Sequence, residues 1–135
     1  MKAVFSWNLS KAFVIALPLA AVLSLCGCVS EELRAVRTMR INDVDLSRVR
    51  DGSYEGSFSY GSFNYLVRTT VKKGRIVKVD ILKNRDTTYA MKAEKVAERV
   101  IEKQTPNVDA VTGATTTSKA LLKAIEYSLS GADRQ

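Results

Sequence analysis

The alternation of apolar and polar residues changes character along this chain. From Asp51 to Leu82 it has period two. Tyr54, Gly56, Phe58 and Tyr60 fall on one face of a first strand, Gly61-Ser62 fits a two-residue hairpin loop, and Phe63, Tyr65, Val67, Thr69 and Val71 alternate along a second strand. Lys73-Gly74 predicts the next turn. Arg75 to Leu82 reads as a third strand, with Val77, Val79 and Ile81 on one face and Ile76, Lys78, Asp80 and Leu82 on the other. The pattern is that of a three-stranded antiparallel meander whose inner face needs a cover.

Downstream the period lengthens. Between Tyr89 and Gln104 the apolar positions Ala90, Ala93, Val96, Ala97, Val100 and Ile101 recur every three or four residues, with charged side chains between them, which predicts one amphipathic helix. Thr105-Pro106-Asn107 ends it, because proline disfavours a helical residue before it and cannot donate into the preceding turn. A second helix is predicted from about Ser118, with Leu121, Leu122, Ile125 and Leu129 buried and Gly131 as its stop. The fold class is therefore α+β, an antiparallel three-stranded meander covered by two α-helices over residues 51–131, with 132–135 a tail. Residues 28–50 lack a sustained period and read as a tether. Within them Asn42-Asp43-Val44-Asp45 lacks the glycine and terminal glutamate of a calcium loop and receives no function.

The opening residues are addressed to the export machinery, not to the fold. Lys2 and Lys11 precede an apolar run from Ala12 to Leu25, of the length of a signal-peptide core and short for a membrane span. Leu25-Cys26-Gly27-Cys28 resembles the bacterial lipobox, which implies cleavage after residue 27, acylation of Cys28, and an extracytoplasmic protein lipid-anchored to a bacterial membrane. The mature chain then keeps one cysteine, itself acylated, so no disulfide forms within it. No histidine occurs anywhere, which excludes Ser-His-Asp hydrolysis and His-dependent metal sites. The net charge is +7, or +5 once Lys2 and Lys11 are removed, and the basic residues are scattered. That distribution suits a solvated surface near anionic lipid and gives no reason to expect a nucleic-acid partner.

One polar stretch stands apart. Val108 to Ser118 gathers Asp109, Thr112, Gly113, Ala114, Thr115, Thr116, Thr117 and Ser118 at the predicted start of the last helix, with Lys119 in its first turn. Thr117 or Ser118 as an N-cap would explain the hydroxyls alone. Gly113-Ala114 adds room for close approach to Thr115, and a cation in the first turn is disfavoured unless an anion is present. Both details point to a phosphate bound at a helix N-terminus. Asp109 is too far back to cap the helix and is left to hold the loop or to help position a metal ion.

Asp109-Ala110-Val111-Thr112-Gly113-Ala114-Thr115 resembles the flavinylation motif of the FMN-binding domain family, Asp-x-x-(Ser or Thr)-Gly-Ala-Thr. Asp51-Gly52-Ser53-Tyr54-Glu55-Gly56 is similar to the opening of that domain and Lys73-Gly74-Arg75-Ile76 to its strand turn. The family includes peripheral flavin subunits of sodium-pumping quinone reductases and small exported flavoproteins. The resemblance implies that a flavin transferase, using FAD and magnesium, joins FMN to Thr115 as a phosphoester and releases AMP. It implies a phosphate held by backbone N–H groups from Thr116 to Lys119 with the Ser118 hydroxyl, and places Thr112, Gly113, Ala114, Thr117 and Asp109 in the site. Many members carry a histidine after the third strand; Lys83 to Thr88 has none here. Any of Tyr54, Phe58, Tyr60, Phe63, Tyr65 and Tyr89 is a candidate platform for the flavin ring, although core or cross-strand pairing accounts for most of them.

These readings lead to an exported lipoprotein carrying covalent FMN between membrane or periplasmic redox partners, an electron carrier more than a self-contained enzyme. The alternative is a non-redox lipoprotein holding FMN or another phosphate ligand noncovalently at the same helix start. A flavin reductase is a third reading, and it needs a substrate pocket that the sequence does not reveal.

Overall fold

The computed structural model describes residues 31–132. The expected signal peptide, Cys28 and residues 133–135 lie outside the described residues. The chain is helical over 31–38 (α1), passes a 3-10 turn at Leu46–Arg48, and then forms β1 (Gly52–Tyr60), β2 (Phe63–Lys72), β3 (Arg75–Lys83), α2 (Thr88–Ala93), α3 (Val96–Lys103) and α4 (Thr115–Ala132). The strands form one antiparallel sheet in the order β1-β2-β3. The α+β class and the meander are as expected.

Both hairpin loops fall where the sequence places them. Gly61 has φ 53, and Lys73 and Gly74 have φ 53 and 69, the left-handed values that two-residue hairpin loops require. Lys73 tolerates this because its N–H donates to the Asp51 carboxylate at 2.6 Å. The faces of β3 differ from simple alternation. Val71 pairs with Ile76 and Thr70 with Lys78, so Val77 is an extra residue in a bulge; a second shift sets Leu66 against Lys83 and Val67 against Ile81, leaving Leu82 extra. Ile76 thus turns inward and is buried, while Val77 and Leu82 face solvent. Gln104 supports the first bulge from outside: its Oε1 accepts from Ile76 N–H at 2.8 Å and its Nε2 donates to the Ile76 carbonyl at 2.9 Å.

The cover is built from more pieces than two helices. α4 lies across β1 and β2, α3 packs under β3, and α2 rests on α4. The single helix expected from Tyr89 to Gln104 is broken at Glu94-Lys95. The Asn84 side chain donates to the Ala90 carbonyl at 3.0 Å, and the Glu94 N–H turns instead to Met91 at 3.2 Å. The break lets Ala90 and Ala93 bury in one direction and Val96 and Val100 in another. α4 also passes through Gly131, the expected stop, since Ala132 is still buried and Gly131 sits in open space. Its closest contact with the sheet is at Gly56, where a Cβ would stand 2.1 Å from the Ala124 carbonyl and 2.4 Å from the Ser128 nitrogen. Beside it the Thr69 and Ser128 hydroxyls meet at 2.8 Å in the core.

Residues 31–50, expected as a tether, pack onto the domain. Val36, Ile41 and Val49 join the hydrophobic core. Asp43 is bonded by Thr105 at 2.5 Å and Asn107 at 3.3 Å, which hold its carboxyl below the ordinary aspartate value. The strongest fastening is Glu126 on α4, which accepts from the Asn42 backbone at 3.1 Å, the Asn42 side chain at 3.0 Å and Lys123 at 2.8 Å. Burial pushes the Glu126 carboxyl up, but the bonds from Lys123 and Asn42 outweigh it and hold its pKa below the ordinary 4.5. A carboxylate whose folded pKa is lowered adds stability above its unfolded pKa, and that stability is lost as pH falls through the folded value. Glu126→Gln is expected to cost about 1–3 kcal/mol at neutral pH, since it leaves the Lys123 ammonium without its counter-charge. In urea titrations the gap to wild type should close progressively below the ordinary glutamate value. A gap of the same size at acid and neutral pH would contradict this role.

Among the described residues no helix is long and apolar enough to cross a membrane.

Candidate functional site

The site forms where the loop after α3 turns into α4. Val108 and Val111 are buried and anchor the loop, leaving Asp109, Thr112 and Gly113 exposed. Gly113 adopts φ 80, and the Ala114 N–H closes back onto the Val111 carbonyl at 2.9 Å. The Ala114 carbonyl then accepts the Ser118 N–H at 2.9 Å, which starts the helix at Thr115. Alanine has no side-chain oxygen with which to cap. The N–H groups of Thr115, Thr116 and Thr117 therefore have no acceptor within the helix, and with the helix dipole they favour an anion.

In front of them lies a cavity of about 360 Å³ lined by Arg37, Arg85, Tyr89, Gly113, Ala114, Thr115, Thr116 and Thr117. Arg37 comes from α1, and its Nε donates to the Thr116 hydroxyl at 2.9 Å. Arg85 stands between β3 and α2, its guanidinium 3.9 Å from the centroid of the Phe63 ring and its backbone N–H on the Asn84 side chain at 2.8 Å. Tyr89 is 70% exposed. Lys92 of α2 approaches from the other side, its Nζ 3.9 Å from where a Cβ on Gly113 would stand. Behind Thr117 lies the buried Tyr65, which donates to the Tyr60 hydroxyl at 3.1 Å. Burial, then that bond, push its pKa well above the ordinary tyrosine value, so it is a neutral hydrogen-bonding group at any ordinary pH.

The expected site residues divide in two. Gly113, Ala114, Thr115, Thr116 and Thr117 come together on the cavity wall, and Thr115 is exposed with its hydroxyl unbonded among the described residues. Thr112 lies in the exposed turn, off the wall. Asp109 is exposed: its carbonyl accepts from Arg99 at 2.8 Å, while its carboxylate meets no partner among the described residues, and no group of three metal-binding side chains occurs there. Ser118 is not the N-cap, since the helix starts at Thr115. It is fully buried, and its hydroxyl accepts the Val111 N–H at 3.1 Å, which locks the loop. Lys119 is also displaced, because the helix begins at Thr115 and not near Ser118; it is the fifth helical residue, past the first turn and off the cavity wall.

Arg37, Arg85 and Lys92 are the members that sequence reasoning did not find. Arg37 reaches Thr116 across 79 residues from a segment without periodicity, so no local pattern marks it. Arg85 falls in the stretch singled out for its missing histidine, the one hint available. Among the described residues, no carboxylate or histidine lines the cavity. The arrangement can bind an anion and present a threonine hydroxyl, but it holds no base to deprotonate that hydroxyl. The donors fit a phosphate-bearing group, and the volume is within the range of small-ligand sites.

Comparison with known proteins agrees with this chemistry. Residues 61–130 match the family model described as FMN-binding domain. An uncharacterized protein of Treponema pallidum (strain Nichols) is 34% identical over 82 residues, which cover 59% of this chain and 23% of that protein. The chain thus corresponds to about a quarter of that relative's length.

Proposed function

The chain belongs to the FMN-binding domain family, and we propose that it carries FMN covalently on Thr115 as an electron-transfer protein, exported and anchored to a bacterial membrane by acylated Cys28. The observation that carries the reading is the exposed, unbonded Thr115 hydroxyl at the first position of an uncapped helix, in a cationic cavity that contains no base. Attachment then depends on a separate flavin transferase. The Thr115 hydroxyl gives its proton to a base of that enzyme, Thr115 Oγ bonds to the FMN phosphorus of FAD, the phosphoanhydride breaks and AMP leaves. Asp109, whose carboxylate is free toward solvent, serves as a recognition contact for the transferase.

When bound, FMN supplies the electron transfer. The protein's own part is to hold it. The N–H groups of Thr115 to Thr117 and the Arg37 guanidinium take the phosphate, and the Arg37 contact keeps the Thr116 side chain out of its place. Redox partners at the membrane donate to and accept from this carrier.

Intact-mass analysis of the mature protein from its native membrane tests the whole reading. The expected mass exceeds that of residues 28–135 by a lipid on Cys28 and by FMN less one water. A mass without the flavin increment, from a protein that binds FMN before denaturation and releases it afterwards, would establish the noncovalent alternative.

A further inference from the structure

The cavity holds more positive charge than a phosphoester needs. Arg37 and Arg85 line it and Lys92 stands against its Gly113 edge, yet none of the three is ion-paired among the described residues. Three cations elsewhere have found carboxylates: Arg68 pairs with Glu55 at 2.6 Å, Lys78 with Asp80 at 2.9 Å and Lys123 with Glu126 at 2.8 Å. The nearby acids Asp86 and Asp109 are both exposed and neither is on the cavity wall. A phosphate joined to both a threonine and a ribityl chain is a diester and carries one negative charge. Three cations and a helix N-terminus around one charge leave the cavity strongly positive.

Arg85 is the cation best prepared for a second partner. Its guanidinium sits over the Phe63 ring, 3.9 Å from the centroid, while its N–H groups make no hydrogen bond among the described residues. Its backbone is fixed by Asn84. Unlike Arg37, which already donates to Thr116, it makes no side-chain hydrogen bond among the described residues. A planar donor edge held at a cavity wall suits a planar anionic acceptor.

We propose that Arg85 holds a second negative charge in this cavity, that of the two-electron-reduced flavin ring, while Arg37 and Lys92 serve the phosphate. This rests on the flavin reading above but not on the covalent bond. Two electrons and one proton convert the oxidised ring to a monoanion, and a second proton gives the neutral form. A guanidinium beside the ring opposes that second proton and favours the reduced anion over the uncharged oxidised ring. Arg85 would be a positioning and charge-selecting residue of the site.

The test is an anaerobic titration of the flavin-free full chain with FMN, once oxidised and once reduced by dithionite. Reduced FMN is expected to bind about tenfold tighter or more. Arg85→Gln should abolish that preference by weakening reduced FMN about tenfold more than oxidised FMN, whereas Arg37→Gln should weaken both forms alike. Arg85→Lys, which keeps the charge, should retain part of the preference and guards against a trivial loss of folding. Equal affinities in wild type, an undiminished preference in Arg85→Gln, or no binding of either form would each overturn the proposal. A missing mass increment in the native protein would overturn the covalent assignment alone, because this titration does not depend on it.

Discussion

Thr115→Ala is expected to abolish covalent flavin when the full chain is produced together with a flavin transferase, lowering flavin per polypeptide by about two orders of magnitude or more because the only attacking oxygen is removed. Thr115→Ser should keep the linkage, since serine offers the same hydroxyl. Neighbouring hydroxyls cannot substitute. That of Thr116 is held by Arg37, Thr117 is buried, and Ser118 is committed to the Val111 N–H. Thr115 is exposed, so its replacement should change stability by no more than about 0.5 kcal/mol. In-gel fluorescence after denaturation, read with intact mass and an unfolding curve, checks all of this together. A Thr115→Ala band that fluoresces like wild type would sink the assignment.

Gly56→Ala is expected to have the largest effect on the fold. The new methyl group would stand 2.1 Å from the Ala124 carbonyl, 2.4 Å from the Ser128 nitrogen and 2.8 Å from its Cα, all backbone atoms of α4. No rotamer change relieves that, so α4 must move off β1. The Thr69 to Ser128 contact then opens, and the seating of Leu121, Leu122, Ile125 and Leu129, each fully buried, is loosened. A loss of about 3 kcal/mol or more follows, a large share of the ~5–15 kcal/mol that holds such domains. The melting temperature should fall by more than about 10 °C, or cooperative unfolding should disappear. Gly131→Ala is the matched control. Nothing lies within 4 Å of its Cβ position, and at this helical site alanine should stabilise by about 0.5–1 kcal/mol. Circular dichroism melts of the two variants decide the matter, and equal midpoints would show that α4 does not rest on β1 through Gly56.

The strands and their turns were legible because a half-buried strand writes its inner face at every second residue, and because Gly61 and Lys73-Gly74 mark the only places where the chain reverses between them. The bulges at Val77 and Leu82 were not. An inserted residue changes which of two apolar sets faces inward, and β3 has apolar residues in both. The helical period from Ala90 to Ile101 likewise persists across the Glu94-Lys95 break, whose cause is Asn84, a side chain outside the helix. At the site, the threonines and Gly113 were legible as a local motif. Ser118 and Lys119 were misplaced because an uncapped start at Ala114 looks, by propensity, worse than a start at a hydroxyl residue. Packing decided otherwise, with Ser118 drawn inward to fasten Val111. Arg37 was out of reach of any local reading.

The match to the family model runs over residues 61–130, but the unit that folds does not share that border. β1 ends at Tyr60, and α4 lies on β1 as well as β2. A fragment cut at residue 61 would lack β1 with its Gly56, one of the two strands that pair with β2, and the Asn42 anchor of Glu126, and its longest helix would be left with part of its seat. The border of homology is thus not a place to cut. The polypeptide that should be excised for study as an autonomous piece begins no later than the helix that carries Arg37.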